Sequence, residues 1–113
     1  MILITGGAAQ GKKEYARRTF GDGRKIIFAY QDTVRELLRA GEDPQAYTEE
    51  LLRTQPDIVI IMDEVGCGIV PMEKEDRIWR DACGRCGCRI AAQADTVVRM
   101  ICGIPTAIKG ELP

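Results

Sequence analysis

The 113 residues are 45% apolar and 29% charged, with 16 basic side chains against 17 acidic ones and no histidine. A net charge of −1 excludes the bulk positive field that holds nucleic acid or an anionic membrane, and the longest apolar run, Ile58 to Met62, is far too short to span a bilayer. The missing imidazole excludes Ser-His-Asp triads, Cys-His pairs and His-containing zinc sites. Five cysteines, an odd number, and no signal-type stretch lead us to expect reduced thiols, a cytoplasmic location and one domain over residues 1–113.

Met1 to Thr5 is an apolar run that stops at Gly6-Gly7, as a buried strand stops at a loop. Beyond Gly11, residues Tyr15, Ala16, Thr19 and Phe20 recur at helical spacing until Gly21-Asp22-Gly23 breaks the pattern. Lys25 to Ala29 predicts a second strand. Thr33-Val-Arg-Glu36 reads as a capping box that opens a helix with Val34, Leu37 and Leu38 on one face and Gly41 as its stop. Asp43 and Pro44 form a cap and first-turn pair for another short helix, striped by Tyr47, Leu51 and Leu52. Asp57 to Met62, continuous and β-branched, predicts a third strand. After a glycine-punctuated loop, Gly66 to Pro71, residues Trp79, Cys83, Cys86 and Ile90 share one face of a long helix. Gly84 and Gly87 interrupt that helix, and their spacing points to close backbone packing rather than a break. Asp95 to Ile101 predicts a last strand, and Gly103 to Pro113 a connection or a short edge piece. Strands alternating with helices imply an α/β fold, with about four parallel strands and helices on both faces.

Gly6-Gly7-Ala8-Ala9-Gln10-Gly11-Lys12 is G-x-x-x-x-G-K placed between a strand and a helix, the context of a phosphate-binding P-loop. Glycine lets the backbone curl so that N–H groups converge, the helix N-terminus adds partial positive charge, and Lys12 reaches the β and γ phosphates. By composition alone the pattern arises in roughly one chain of this length in thirty, and the strand–loop–helix context lowers that further. The next position normally carries a Ser or Thr hydroxyl for Mg²⁺, but here it is Lys13, whose ammonium cannot bind a metal ion. Lys13 either neutralises a phosphate itself or is a solvated lysine on the first helical turn.

Asp63-Glu64 closes the third strand on the sheet edge where the P-loop lies, if the two strands are parallel. An apolar run ending in such a pair is the Walker B pattern, in which the acid holds Mg²⁺ and the next carboxylate orients the attacking group. Acidic pairs also end strands simply as polar turn residues. Cys83-x-x-Cys86-x-Cys88 has spacing that admits a metal, yet Cys83 and Cys86 fit the apolar stripe and Cys88 projects away from it. No metal site is expected there. Trp79 reads as a packing residue, and Arg80 as an ion-pair partner of Asp81.

Asp63-Glu-Val-Gly-Cys-Gly-Ile-Val-Pro71, then Arg80-Asp81-x-x-Gly84-Arg85 and Ala91-Ala-Gln-Ala-Asp95, resembles the C-terminal part of the bifunctional adenosylcobinamide kinase/adenosylcobinamide-phosphate guanylyltransferase family of cobalamin biosynthesis. Met1-Ile-Leu-Ile-Thr-Gly-Gly-Ala is similar to that family's opening, and Gly103-Ile104 with Ile108-Lys109 to its ending, so the resemblance covers residues 1 to 31 and 58 to 109. It implies a RecA-like P-loop NTPase sheet that binds GTP or ATP on Gly6 to Lys13, with Ala29, Tyr30 and Gln31 nearby. The chain departs from the family in several places. The family's guanylylated histidine, beyond the second strand, is absent, so guanylyltransferase activity is expected to be lost. The family's longer middle section, with an additional strand and acidic residues near the nucleotide, is reduced to two short helices. Asp63 stands where the family usually has Asn.

The expected function is therefore purine nucleoside triphosphate binding with adenosylcobinamide kinase activity. Lys12 would stabilise the transferred phosphate, and Asp63 or Glu64 would hold Mg²⁺ or orient the substrate hydroxyl, with Mg²⁺ binding weakened by Lys13. The alternatives are a non-catalytic nucleotide-binding or assembly subunit, and a structural remnant with an empty P-loop. The expected partners are the triphosphate, the corrinoid adenosylcobinamide and further copies of the chain, since the family forms oligomers with the corrinoid between subunits.

Overall fold

Strand β1 (Ile2–Gly6) is apolar on both of its faces, and a central position in a sheet is what buries both. The computed structural model, which describes residues 1–65 and 73–113, places it there. Strand β3 (Val59–Asp63) pairs parallel with β1 on one side and β4 (Thr96–Ile101) parallel on the other. The short β2 (Ile26–Ile27) pairs with β3, also parallel, and β5 (Ile104–Lys109) runs antiparallel to β4, giving the order β2-β3-β1-β4-β5. The loop Gly66 to Pro71 and Cys67 lie outside the described residues.

Ile2 and Ile4, with Val59, Ile61, Val98 and Met100, form one core with Tyr15 and Ala16 of helix α1 (Lys12–Phe20). Leu3, Ile60, Met62 and Val97 belong to a second core, with side chains from α2 (Tyr30–Arg39), α3 (Pro44–Thr54) and α4 (Lys74–Gln93). The two faces of the sheet are thus each covered by helix, and the architecture is the mostly parallel α/β arrangement that the alternation predicts. Among the described residues no helix is long and apolar enough to cross a membrane.

The end of β2 and the start of α2 differ from expectation. The second strand stops at Ile27, and Ala29, at φ 53°, turns the chain directly into α2. That helix begins three residues before the expected capping box, so Thr33 and Glu36 lie inside it. Its first turn is anchored by tertiary bonds instead: Trp79 Nε1 donates to the Gln31 carbonyl at 2.7 Å, and the Asp63 amide donates to Gln31 Oε1 at 3.0 Å. Helix α4 runs unbroken through both glycines, as their spacing predicts, but neither serves the close packing expected of it. A Cβ at Gly84 would meet nothing within 4 Å, and one at Gly87 would lie 3.9 Å from Met62 Sδ, an ordinary contact. The tail after Gly103, expected as a connection or a short edge piece, is a six-residue strand at the sheet edge. It is entered through the turn Cys102-Gly103, whose φ values of 50° and 77° are those a two-residue hairpin needs. Lys109 at its end donates to the carbonyls of Ala91 and Ala92, satisfying the last turn of α4, which has no basic residue of its own.

Candidate functional site

Parallel pairing sets Gly6 opposite Asp63, so the chain leaves β1 beside the carboxylate that ends β3. Gly6 adopts φ 149°, and a Cβ there would sit 2.6 Å from the Met100 carbonyl oxygen on β4. Only glycine fits. The loop then curls through Ala9 (φ 56°) and Gly11 (φ 90°) into α1. Its rear is fastened to the β4–β5 hairpin: Gly103 N donates to the Gln10 carbonyl at 3.0 Å, and Cys102 N to Gln10 Oε1 at 2.7 Å. Gln10 therefore braces the loop from behind.

Lys12 folds back into the curl. Its ammonium donates to the Gly7 carbonyl at 2.5 Å and lies 2.7 Å from Asp63 Oδ1, with the lysine side chain 7% exposed and the aspartate 32%. The pair is therefore open on the carboxylate side. Glu64 goes elsewhere. Its amide donates to the Gly6 carbonyl at 2.8 Å, while its carboxylate takes Arg99 of β4 in a two-pronged pair at 2.8 and 3.2 Å.

A cleft of about 910 Å³ opens over this arrangement. The loop contributes Ala9, Gln10, Gly11 and Lys12 to its lining, Ala29 and Gln31 close one side, and Asp63 lies at its base. Gly7 supplies the carbonyl bound by Lys12, and the exposed Ala8 accepts a bond from Gln10 Nε2. Tyr30 is turned away. Fully buried, its hydroxyl sits 2.7 Å from Thr48 Oγ1, and burial pushes its pKa up to about 12.

Lys13 also lines the cleft, with its ammonium 5.6 Å from the centre of the Phe28 ring. Arg17, one helical turn on, approaches the same ring at 5.2 Å. Arg17, Arg18 and Phe28 were not read as site residues from the sequence. The available signal was the i, i+4 spacing of Lys13 and Arg17, which puts both on one face of α1.

The residues present do not fit a Mg²⁺ ion. Lys13 occupies the hydroxyl position, Asp63 is engaged by Lys12 and Glu64 by Arg99, and no group of three acidic, cysteine or histidine side chains among the described residues is placed to hold a metal. The cysteines follow the stripe read from the sequence, Cys83 and Cys86 buried and Cys88 exposed. Burial pushes the Cys83 thiol up to about 12 and Cys86 upward too, away from the thiolate form that binds metals. Trp79 is half-buried against the second core, with the Arg35 guanidinium 3.7 Å from its ring centre, and Arg80 pairs with Asp81.

The family model for cobinamide kinase / cobinamide phosphate guanyltransferase matches residues 29–108, a stretch that contains β3, α4 and β4 and begins beyond the Gly6–Lys13 loop. The bifunctional adenosylcobalamin biosynthesis protein CobU of Salmonella typhimurium is 42% identical over 57 residues, 50% of this chain and 32% of that protein. The protein of the same name from Escherichia coli is 39% identical over 57 residues, with the same shares. The matched stretch thus spans about a third of the length of these curated relatives.

Proposed function

The chain belongs to the cobinamide kinase / cobinamide phosphate guanyltransferase family, and from that premise we propose that it binds a purine nucleoside triphosphate, GTP or ATP, in the cleft over Lys12 and Asp63, as a cobinamide kinase-like protein of cobalamin biosynthesis. The observation that carries this is the buried Lys12 ammonium, held at the centre of a strand–loop–helix curl with Asp63 open to the cleft beside it. An arriving phosphate replaces the Gly7 carbonyl as a partner of Lys12, and the loop amides and the N-terminus of α1 add to the attraction. Lys12 keeps a second N–H on Asp63 Oδ1, and the other carboxylate oxygen, open to the cleft, orients a substrate hydroxyl or accepts its proton. Guanylyl transfer through a histidine is lost, because no histidine is present. Adenosylcobinamide is the proposed acceptor, bound between copies of the chain.

A second reading, a nucleotide-binding subunit without catalysis, is favoured by one observation: Glu64, the second acid of the strand-end pair, is held by Arg99. Calorimetric titration of GTP and ATP into wild type and Lys12→Ala tests the binding site, with a loss of about tenfold or more expected on removal of a charged phosphate contact. Equal affinities would place the nucleotide elsewhere. Transfer of labelled phosphate from either nucleotide to adenosylcobinamide separates the kinase from the binding subunit.

A further inference from the structure

We propose that this cleft binds its triphosphate without a divalent cation, with Lys13 and Arg17 supplying the positive charge that a metal would bring; the inference rests on the nucleotide-binding reading above. Two independent observations lead to it. The first is the consumption of the acidic ligands. A metal bound beside a P-loop needs oxygen donors, and here one donor position is an ammonium while Asp63 and Glu64 are each engaged by a cation.

The second is a surplus of cations on α1 that, among the described residues, have no ion-pair partner. Lys12 and Asp63 neutralise each other, which leaves Lys13, Arg17 and Arg18 against Glu14 along the cleft of a chain whose net charge is −1. None of these three cations makes an ion pair among the described residues, whereas Arg35, Arg39, Arg53, Arg80 and Arg89 all do. Lys13 and Arg17 also stand one turn apart on α1, a like-charge spacing that disfavours the isolated helix. Their common resting place is the face of Phe28, a cation–π contact that holds charge at an apolar wall without cancelling it. From there Lys13, adjacent in sequence to Lys12, can donate to the phosphate oxygens that a metal would bridge. Arg17 offers a planar fork suited to two oxygens of one phosphate.

The test is calorimetric titration of GTP into the full chain in excess EDTA and again in excess Mg²⁺, using wild type, Lys13→Ser and Arg17→Gln. Both substituted side chains are exposed, and circular dichroism verifies that the variants fold. Wild-type affinity is expected to differ by less than about threefold between the two conditions. Lys13→Ser should lose about tenfold or more in EDTA and recover part of it in Mg²⁺, whereas Arg17→Gln should weaken in both. Wild-type binding that requires Mg²⁺, or Lys13→Ser binding in EDTA as tightly as wild type, would overturn the inference while leaving the nucleotide site standing. No binding in either condition would remove both.

Discussion

Replacing Gly6 by alanine puts a methyl group where β1 and β4 meet. The added Cβ would lie 2.6 Å from the Met100 carbonyl oxygen, and Gly6 has φ 149°, which L side chains rarely adopt. The strained backbone costs about 1–3 kcal/mol, and forcing apart a packed contact about 1–3 kcal/mol more. The total, about 2–6 kcal/mol, is a large part of the stability of an ordinary domain, about 5–15 kcal/mol. For 113 residues the unfolding entropy is about 0.24 kcal/mol/K, so the melting temperature should fall by about 8–25 °C. Two other glycines calibrate the measurement. At Gly7 the nearest atom to an added Cβ is Gln10 Cγ at 3.7 Å, and at Gly84 nothing lies within 4 Å. Gly7→Ala should therefore melt close to wild type, and Gly84→Ala should gain up to about 1 kcal/mol from helix propensity. Thermal melts followed by circular dichroism compare all three. A Gly6→Ala protein melting within about 2 °C of wild type, far inside the shift calculated above, would mean that β4 does not determine how the loop leaves the sheet.

Two further outcomes follow from burial and composition. Tyr30 and Cys83 have pKa values raised by burial from 10.0 and 9.0 to about 12, so their neutral forms belong to the folded state. Their contribution is fully present below about pH 9 and is lost as pH rises toward 12, so urea midpoints should hold to about pH 9 and then decline, less steeply in Tyr30→Phe. A curve flat through pH 11 would show that these groups ionise without unfolding the protein. Incubation with labelled GTP should leave no acid-labile GMP adduct on denaturing gels, because the chain contains no histidine. A stable adduct would reveal another nucleophile.

The parts of this molecule that can be read from the chain are those in which one local signal coincides with burial. Strands β1 and β3 are continuous apolar runs because both of their faces are covered, and the G-x-x-x-x-G-K spacing marks the curl around Lys12. Asp43 announces α3 because its side chain accepts the Gln45 amide at 3.0 Å, a bond made within the cap itself. What escapes depends on contacts remote in sequence. Strand β5 reads only as a connection or a short edge piece, since Ile104 and Ile108 are exposed at the sheet edge and leave no apolar rhythm. The early start of α2 is set by Trp79 and Asp63 acting on Gln31, from 48 and 32 residues away. The engagement of Glu64 requires knowing that β4 lies on the far side of β1 and brings Arg99 with it. Phe28 looks like the continuation of a strand until the turn at Ala29 shows that it faces α1 across the cleft.

The fastening of Gln10 to the Cys102-Gly103 turn has a dynamic consequence. Two hydrogen bonds join loop and hairpin, so opening either one breaks both and couples its motion to the other. Fluctuations at the rim of the sheet therefore reach the curl around Lys12 directly, without passing through either core. Slow hydrogen exchange at the Cys102 and Gly103 amides becomes a report on the loop, and a ligand that quiets the loop draws down the conformational entropy of β5 as well. The edge strand, remote from any reacting group, acts as the damper on the loop's motion.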